Sequence, residues 1–132
     1  MGTKKIKPYN IRAMKHNGQF LLDIFSIIPL NGTLCYIQAP DMEGLSIVSK
    51  TDNPALMLMD CNRSSIEILK CKILDNNIQD FIVNISIQNN GITIFEGYDG
   101  VKYGIFSKHF SIPQWFYEKY GRNDMYEVSD DW

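Results

Sequence analysis

One short stretch alternates apolar and polar residues and then turns back on itself, which constrains the fold more than any other feature. Along Phe81–Gln88, every second residue is Phe, Val or Ile, the period of a β-strand with one buried face. Asn89–Gly91 follows, and an Asn-Gly pair between two such runs predicts a tight hairpin because both residues tolerate positive φ. We therefore expect an antiparallel pair, with Ile92–Glu96 as the return strand.

A second turn extends this hairpin. Tyr98–Gly100 has the composition of a turn and leads into a further run with β character. In that run Val101, Tyr103 and Ile105 would share one face of a strand. Residues 81–107 are thus predicted to form a three-stranded meander.

The first half of the chain also favours strands. We expect a hairpin of Gln19–Ile28 and Thr33–Gln38 around the turn 29–32, which contains Pro, Asn and Gly. Another strand is predicted at Ala55–Asp60. The intervening residues 39–54 look like an extended loop because they carry two prolines and a glycine, with room for one short strand around Leu45–Val48.

The segment 64–74 fits both a helix and a strand. Ser64–Glu67 matches a helix capping box, and Leu69 and Ile73 recur at helical spacing. Leu69, Cys71 and Ile73 also alternate with lysines, which is typical of a strand. We favour the strand and keep the helix as the alternative.

The strongest helix signal lies near the end of the chain, at Ser111–Gly121. Serine can cap its start, Pro113 suits the first turn, and glycine can end it. At helical spacing, Trp115 and Phe116 fall on the side that should pack on the sheet, with the tryptophan as an anchor, whereas Tyr117 points away.

These elements predict an α+β fold that is mainly antiparallel β. It would contain about seven or eight short strands in hairpins and a meander, with a short C-terminal helix packed on the sheet. A length of 132 residues suits one domain with one core, and no linker or repeat divides it. The single domain 1–132 has a basic start at 1–16 and an acidic extension at 122–132.

The sequence favours a cytoplasmic protein without a membrane segment. Its longest apolar stretch, Phe20–Leu30, is too short to span a bilayer and contains Asp23. Cys35, Cys61 and Cys71 are an odd number without paired spacing, which indicates buried thiols in a reducing compartment rather than a disulfide framework.

The sequence shows no pattern for a metal or cofactor, so we expect neither. It has neither a C-x-x-C pair nor the H-x-x-x-H spacing of a helical metal site. His16 and His109 are the only histidines, and they could form the acid and base of a small metal-independent enzyme. Nothing in their spacing supports that role, so we expect no catalytic residues.

The charge distribution points toward a protein partner. A net charge of −2 argues against nucleic acid, and the acids are concentrated at the end of the chain. Carboxylates there are interspersed with aromatic residues that could anchor a basic partner. The candidate partner-binding residues are Tyr117, Asp124, Tyr126, Glu127, Asp130, Asp131 and Trp132.

The hypothesis favoured by these observations is a small soluble protein-binding module. Its most concrete form is an immunity-type inhibitor that neutralises a cognate bacterial toxin, such as a basic toxin domain, by direct binding. Two alternatives remain open: a small enzyme using His16 and His109, and a ligand-binding β domain that associates with itself.

Overall fold

The computed structural model describes residues 18–132. Its three α-helices are α1 (residues 18–27), α2 (Arg63–Asn76) and α3 (Gln114–Tyr120). Its strands are β1 (Thr33–Gln38), β2 (Val48–Lys50), β3 (Met57–Asp60), β4 (Asn84–Asn89), β5 (Ile92–Tyr98), β6 (Tyr103–Phe106) and β7 (Tyr126–Val128). Short 3₁₀ turns lie at Pro40–Met42, Ile78–Phe81 and Gly121–Asn123. The predicted α+β fold with a C-terminal helix is confirmed.

The seven strands form one sheet in the order β2-β3-β1-β4-β5-β6-β7. All neighbours are antiparallel except β6 and β7, which run parallel. A parallel pair needs a long crossover connection, and α3 lies in the connection between these two strands. The end of the chain thus returns to the sheet instead of extending from it.

The meander β4-β5-β6 confirms the predicted order of three antiparallel strands, but Val101 does not share a strand face with Tyr103 and Ile105, because it is buried in the turn before β6 at φ 56°. Asn90 and Gly91 both adopt positive φ, at 52° and 83°, as the tight turn between β4 and β5 requires. The first strand of the meander starts later than predicted, however. Phe81 and Val83 are 51% and 48% exposed, because the 3₁₀ turn at Ile78–Phe81 precedes the strand.

The predicted strand Gln19–Ile28 is wrong, and with it the hairpin to β1. All of these residues but Ile28 lie in α1, and the buried side chains of the segment recur at helical rather than alternate spacing. The buried set is Phe20, Leu21, Ile24, Phe25 and Ile28.

The ambiguous segment 64–74 belongs to α2, so the favoured strand is wrong. Asn62 caps this helix, because its side-chain oxygen accepts a hydrogen bond from the Ser65 amide at 2.8 Å. Leu69 and Ile73 are buried one turn apart. Cys71 falls on the outer side and is exposed, which overturns its predicted burial.

The C-terminal helix α3 is shorter than predicted. Pro113 occupies its cap position without a side-chain cap, and Phe116 and Tyr120 are its buried residues. Trp115 is 47% exposed and does not act as the expected anchor. The helix is fixed instead by the two rings one turn apart.

All three helices contribute buried residues to one core on one face of the sheet. Phe20 of α1 lies at the centre, with ring centroids 6.3 Å from Phe95 of β5, 5.9 Å from Phe116 and 4.9 Å from Tyr120. Phe106 of β6 contacts Phe95 and Phe116 at 4.7 and 5.5 Å. This aromatic cluster joins α1, α3 and the middle of the sheet.

The absence of a side chain at Gly104 leaves space for the aromatic cluster. A Cβ on Gly104 would lie 2.2 Å from Cζ of Phe95 and 2.8 Å from the backbone oxygen of Glu96. The Phe95 ring therefore occupies the space that a side chain at position 104 would need.

We expect Gly104→Ala to lower the free energy of unfolding by about 3 kcal/mol, because the methyl group overpacks the core. Phe95→Leu should recover part of that loss in the double variant, since a smaller side chain relieves one of the two clashes. Urea unfolding followed by tryptophan fluorescence measures both effects. Strictly additive losses would contradict this account.

An ionic contact also links the first and last helices. Asp23 of α1 accepts hydrogen bonds from the ammonium of Lys119 at 2.8 Å and from the hydroxyl of Tyr120 at 2.5 Å. Burial opposes ionisation of Asp23, but these hydrogen bonds and one from Gln19 outweigh it and lower its pKa.

Asp23→Asn should lower the free energy of unfolding by about 1–2 kcal/mol at pH 7, because a charge-assisted contact is lost. A carboxyl with a lowered pKa stabilises the fold above its unfolded-state pKa and loses this effect as the pH falls through the folded-state pKa. The difference from wild type should therefore shrink as the pH falls below the ordinary aspartate pKa of about 3.9. Thermal melts across pH test this, with the exposed Asp52→Asn as control; a constant difference would contradict it.

Candidate protein-binding surface

The face of the sheet opposite the helices, which we call the open face, carries no helix within residues 18–132. Paired residues share a face, so strand register identifies its members. One row crosses the whole sheet, and a second lies beside it in the middle. The first row is Ser49, Leu58, Tyr36, Ser86, Glu96, Ile105 and Glu127, and the second is Gln38, Asn84, Tyr98 and Tyr103.

The open face is acidic. Asp60, Glu96 and Glu127 lie on it, and none of the strand residues that face this way is lysine or arginine. A cationic surface would therefore be attracted to this side of the sheet.

Glu96 and Tyr98 form a hydrogen-bonded pair near the centre of the open face. The hydroxyl of Tyr98 donates to Oε1 of Glu96 at 2.7 Å. Burial, and then this carboxylate, raise the pKa of Tyr98 to about 12, so the phenol stays protonated at neutral pH. The contact orients the carboxylate and leaves its second oxygen for another donor.

Tyr103 lies directly across from Tyr98 in the neighbouring strand. Burial, followed by the carboxylate of Glu127 and smaller effects of Tyr98 and Asp124, raises the pKa of Tyr103 to about 12. Its hydroxyl is shielded from solvent and has no hydrogen-bond partner of ordinary geometry among residues 18–132. Glu127 is therefore close enough for its carboxylate to oppose phenolate formation at Tyr103.

A depression of about 440 Å³ lies beside Glu96 at one end of β5. Trp132 borders it and is held there by two backbone contacts: its amide donates to Oγ of Ser129 at 3.0 Å, and its carbonyl accepts from the Lys108 amide at 2.6 Å. An indole next to a carboxylate suits a cationic side chain. The full lining is Ile92, Thr93, Glu96, Ser107, His109 and Trp132.

Three of the seven residues proposed from sequence for partner binding lie on or beside the open face. Glu127 is in its main row, Trp132 borders the depression, and Asp124 is close enough to Tyr103 to affect its pKa. Asp124 adopts positive φ, at 57°, in the turn that leads into β7.

Of the other four, Tyr126 and Tyr117 lie on the helix side, whereas Asp130 and Asp131 come directly before Trp132. Tyr126 faces the helices, with its ring centroid 5.1 Å from Phe106 and 5.6 Å from Phe116. Tyr117 is exposed on α3, where the guanidinium of Arg122 lies 5.9 Å from its ring centroid. Asp130 and Asp131 are exposed beyond β7. The structure therefore does not bring all seven residues into one surface.

The structure describes one of the two histidines. His16 lies outside the described residues. His109 is exposed at the depression, and its amide donates to Oγ of Ser107 at 3.1 Å. Its imidazole shares this depression with Glu96.

Within residues 18–132, no group of three or more histidine, cysteine or carboxylate side chains is placed to hold a metal ion. None of the helices described there combines the length and apolarity needed to cross a bilayer.

Sequence reasoning gave Tyr36, Tyr98 and Tyr103 no binding role, and placed Glu96 only at the end of a strand. The signal lay in the alternation of β5, where Glu96 and Tyr98 are interleaved with the buried Phe95 and Gly97. That alternation separates the two faces of the strand, but it becomes informative only once the covered face is known.

Comparisons with known proteins give no relative: no family model, curated protein or solved structure matches this chain.

Glu96→Gln should lower the pKa of Tyr98 from about 12, because the negative charge that opposes phenolate formation is removed. It should stay above the ordinary value of about 10 because burial remains. Tyrosine ¹³Cζ shifts followed by NMR through an alkaline titration measure this, with Tyr98→Phe to assign the signal. Glu118→Gln on α3 is the control, and an unchanged Tyr98 titration in Glu96→Gln would contradict the pairing.

Proposed function

We propose that this protein is a protein-binding module, and most concretely an immunity-type inhibitor that neutralises a cognate bacterial toxin by direct binding. The open face is the proposed contact surface, and a basic toxin domain is the proposed partner. The observation that carries the proposal is a sheet face that no helix of residues 18–132 covers, with acids, tyrosines and no lysine or arginine on its strands.

The side chains of the open face have the composition of a protein interface. Tyr36, Tyr98 and Tyr103 offer rigid rings with a polar end, and tyrosine is enriched among residues that dominate binding energy. Glu96 and Glu127 flank them in the same row and supply charge. Aromatic anchors with nearby carboxylates favour a partner rich in lysine and arginine.

The depression would accept one long cationic side chain of that partner. Its carboxylate, Glu96, is already oriented by Tyr98, and the Trp132 indole lies on its border. Arginine is a better candidate than lysine because its planar guanidinium can stack on the Trp132 ring and hydrogen-bond to the Glu96 carboxylate at the same time. A basic surface engaged in this way would be unavailable to an anionic substrate of the toxin.

A second candidate function rests on one observation, the presence of His109 and Glu96 in the same depression. An imidazole beside a carboxylate could act in acid-base catalysis. His109 is exposed, however, and no nucleophile is activated next to it: Oγ of Ser107 accepts a hydrogen bond from the backbone amide of His109. Binding is therefore the better-supported function.

The test is to capture a partner on the immobilised full chain and to measure its association with matched variants. Glu96→Gln/Glu127→Gln removes two charges from the open face, and Asp52→Asn/Asp75→Asn removes two exposed charges elsewhere. We expect a stoichiometric basic protein whose association rate falls about tenfold at low salt in the first variant only. The difference should shrink as salt is added, because screening weakens steering.

Addition of the protein should also abolish the toxic activity of the captured partner at an equimolar ratio. Equal association rates for both double variants would contradict the proposed surface, and a partner without toxic activity would contradict the immunity role. Loss of a catalytic activity of the chain itself in His109→Ala would favour the enzyme instead.

A further inference from the structure

Two of the three cysteines meet inside the core. Cys35 lies in β1 and Cys61 directly follows β3, and both are fully buried. Their Sγ atoms are 2.8 Å apart. This is closer than the roughly 3.5–4 Å at which non-bonded heavy atoms usually rest.

The sheet register brings these thiols together. Cys35 pairs with Met59, and Cys61 lies two residues further on, so both side chains point to the helix-covered face. The Cys61 amide donates to the carbonyl of Thr33 at 3.0 Å, which fixes the backbone just before α2 begins. The sulfurs are therefore positioned by backbone pairing.

We propose that Cys35 and Cys61 form an intramolecular disulfide when the protein meets a thiol oxidant, while Cys71 remains a free thiol. A disulfide requires about 2.05 Å between the sulfurs, so each needs to move by only a fraction of an ångström. The odd cysteine of the sequence is then Cys71, which is exposed on the outer side of α2.

Glutathione disulfide is a sufficient oxidant. The thiolate of one cysteine attacks it, forms a mixed disulfide and releases one glutathione; the second cysteine then attacks the mixed disulfide and releases another. One protein S–S bond forms, the S–S bond of the oxidant breaks, and the two protons and two electrons of the thiols end on two glutathione molecules.

Burial makes this reaction slow in the folded protein. It raises the pKa of the Cys35 thiol, and the neighbouring Cys61 raises it further, so the reactive thiolate is scarce. Formation during folding, before β1 and β3 are sealed by the helices, is the faster route. Whether the disulfide is present therefore depends on the redox conditions under which the chain folded.

The crosslink would enclose β2, β3 and the long loop that precedes them in a covalent ring. Closing a ring of about 25 residues removes conformational freedom from the unfolded chain, which stabilises the fold. We expect the oxidised protein to melt about 10 °C above the reduced one.

The test is to refold the full chain from denaturant with either a roughly tenfold excess of reduced glutathione over glutathione disulfide, which returns a mixed disulfide on the unpaired Cys71 to the thiol, or a strong dithiol reductant. In the oxidised sample, the intact mass should fall by about 2 Da and alkylation should label one cysteine instead of three. Peptide mapping without reduction should link Cys35 to Cys61. Cys71→Ser is the matched control and should form the same link, whereas Cys35→Ser and Cys61→Ser should not.

Three results would overturn the proposal: a link that involves Cys71, three alkylatable thiols after oxidative refolding, or a linked form that melts no higher than the reduced protein. The wild-type comparison alone decides among these outcomes, so it does not depend on the folding of any variant. None of these measurements involves a partner, and failure here leaves the proposed binding function untouched.

Discussion

The packing of the core depends on the ring of Phe20. It packs on Phe95 in the sheet and on Phe116 and Tyr120 in α3, so one side chain joins the first described helix, the central strands and the last helix. Gly104 leaves the space that the Phe95 ring occupies. Because α1 and α3 share this single cluster, they lie on the same face of the sheet, and no helix in the described part of the chain lies on the opposite face.

This arrangement gives the two faces of each central strand different roles. In β5, Phe95 is fully buried in the aromatic cluster, while Glu96 lies on the other side with its hydrogen-bonded Tyr98. A substitution on the covered side changes stability, whereas one on the open face changes the charge of the surface proposed to bind a partner. The Asp23 contact with Lys119 and Tyr120 belongs to the first group, because it fastens α1 to α3 at the far side of the core.

The meander was predictable from sequence because its signals are local. Only a few turn types place two consecutive residues at positive φ, and Asn90 and Gly91 both adopt it here. In the strands on either side, apolar residues recur at every second position. The strand predicted at 19–28 was wrong because the many apolar residues of this segment concealed the helical spacing among them. The parallel strand β7 could not be foreseen, since three residues carry little periodicity and their pairing depends on the crossover through α3. The same return of the chain places Trp132 near Glu96, 36 positions earlier, which no local pattern encodes.

Both edges of the sheet are short: β2 and β7 contain three residues each, and one carries Lys50 while the other carries Glu127. Such edges offer few free backbone groups for adding a strand from another chain, which also protects against edge-to-edge aggregation. Recognition by this molecule would consequently rely on side chains rather than on the main chain. Its specificity could then be redirected by exchanging a few face residues while the backbone stays the same.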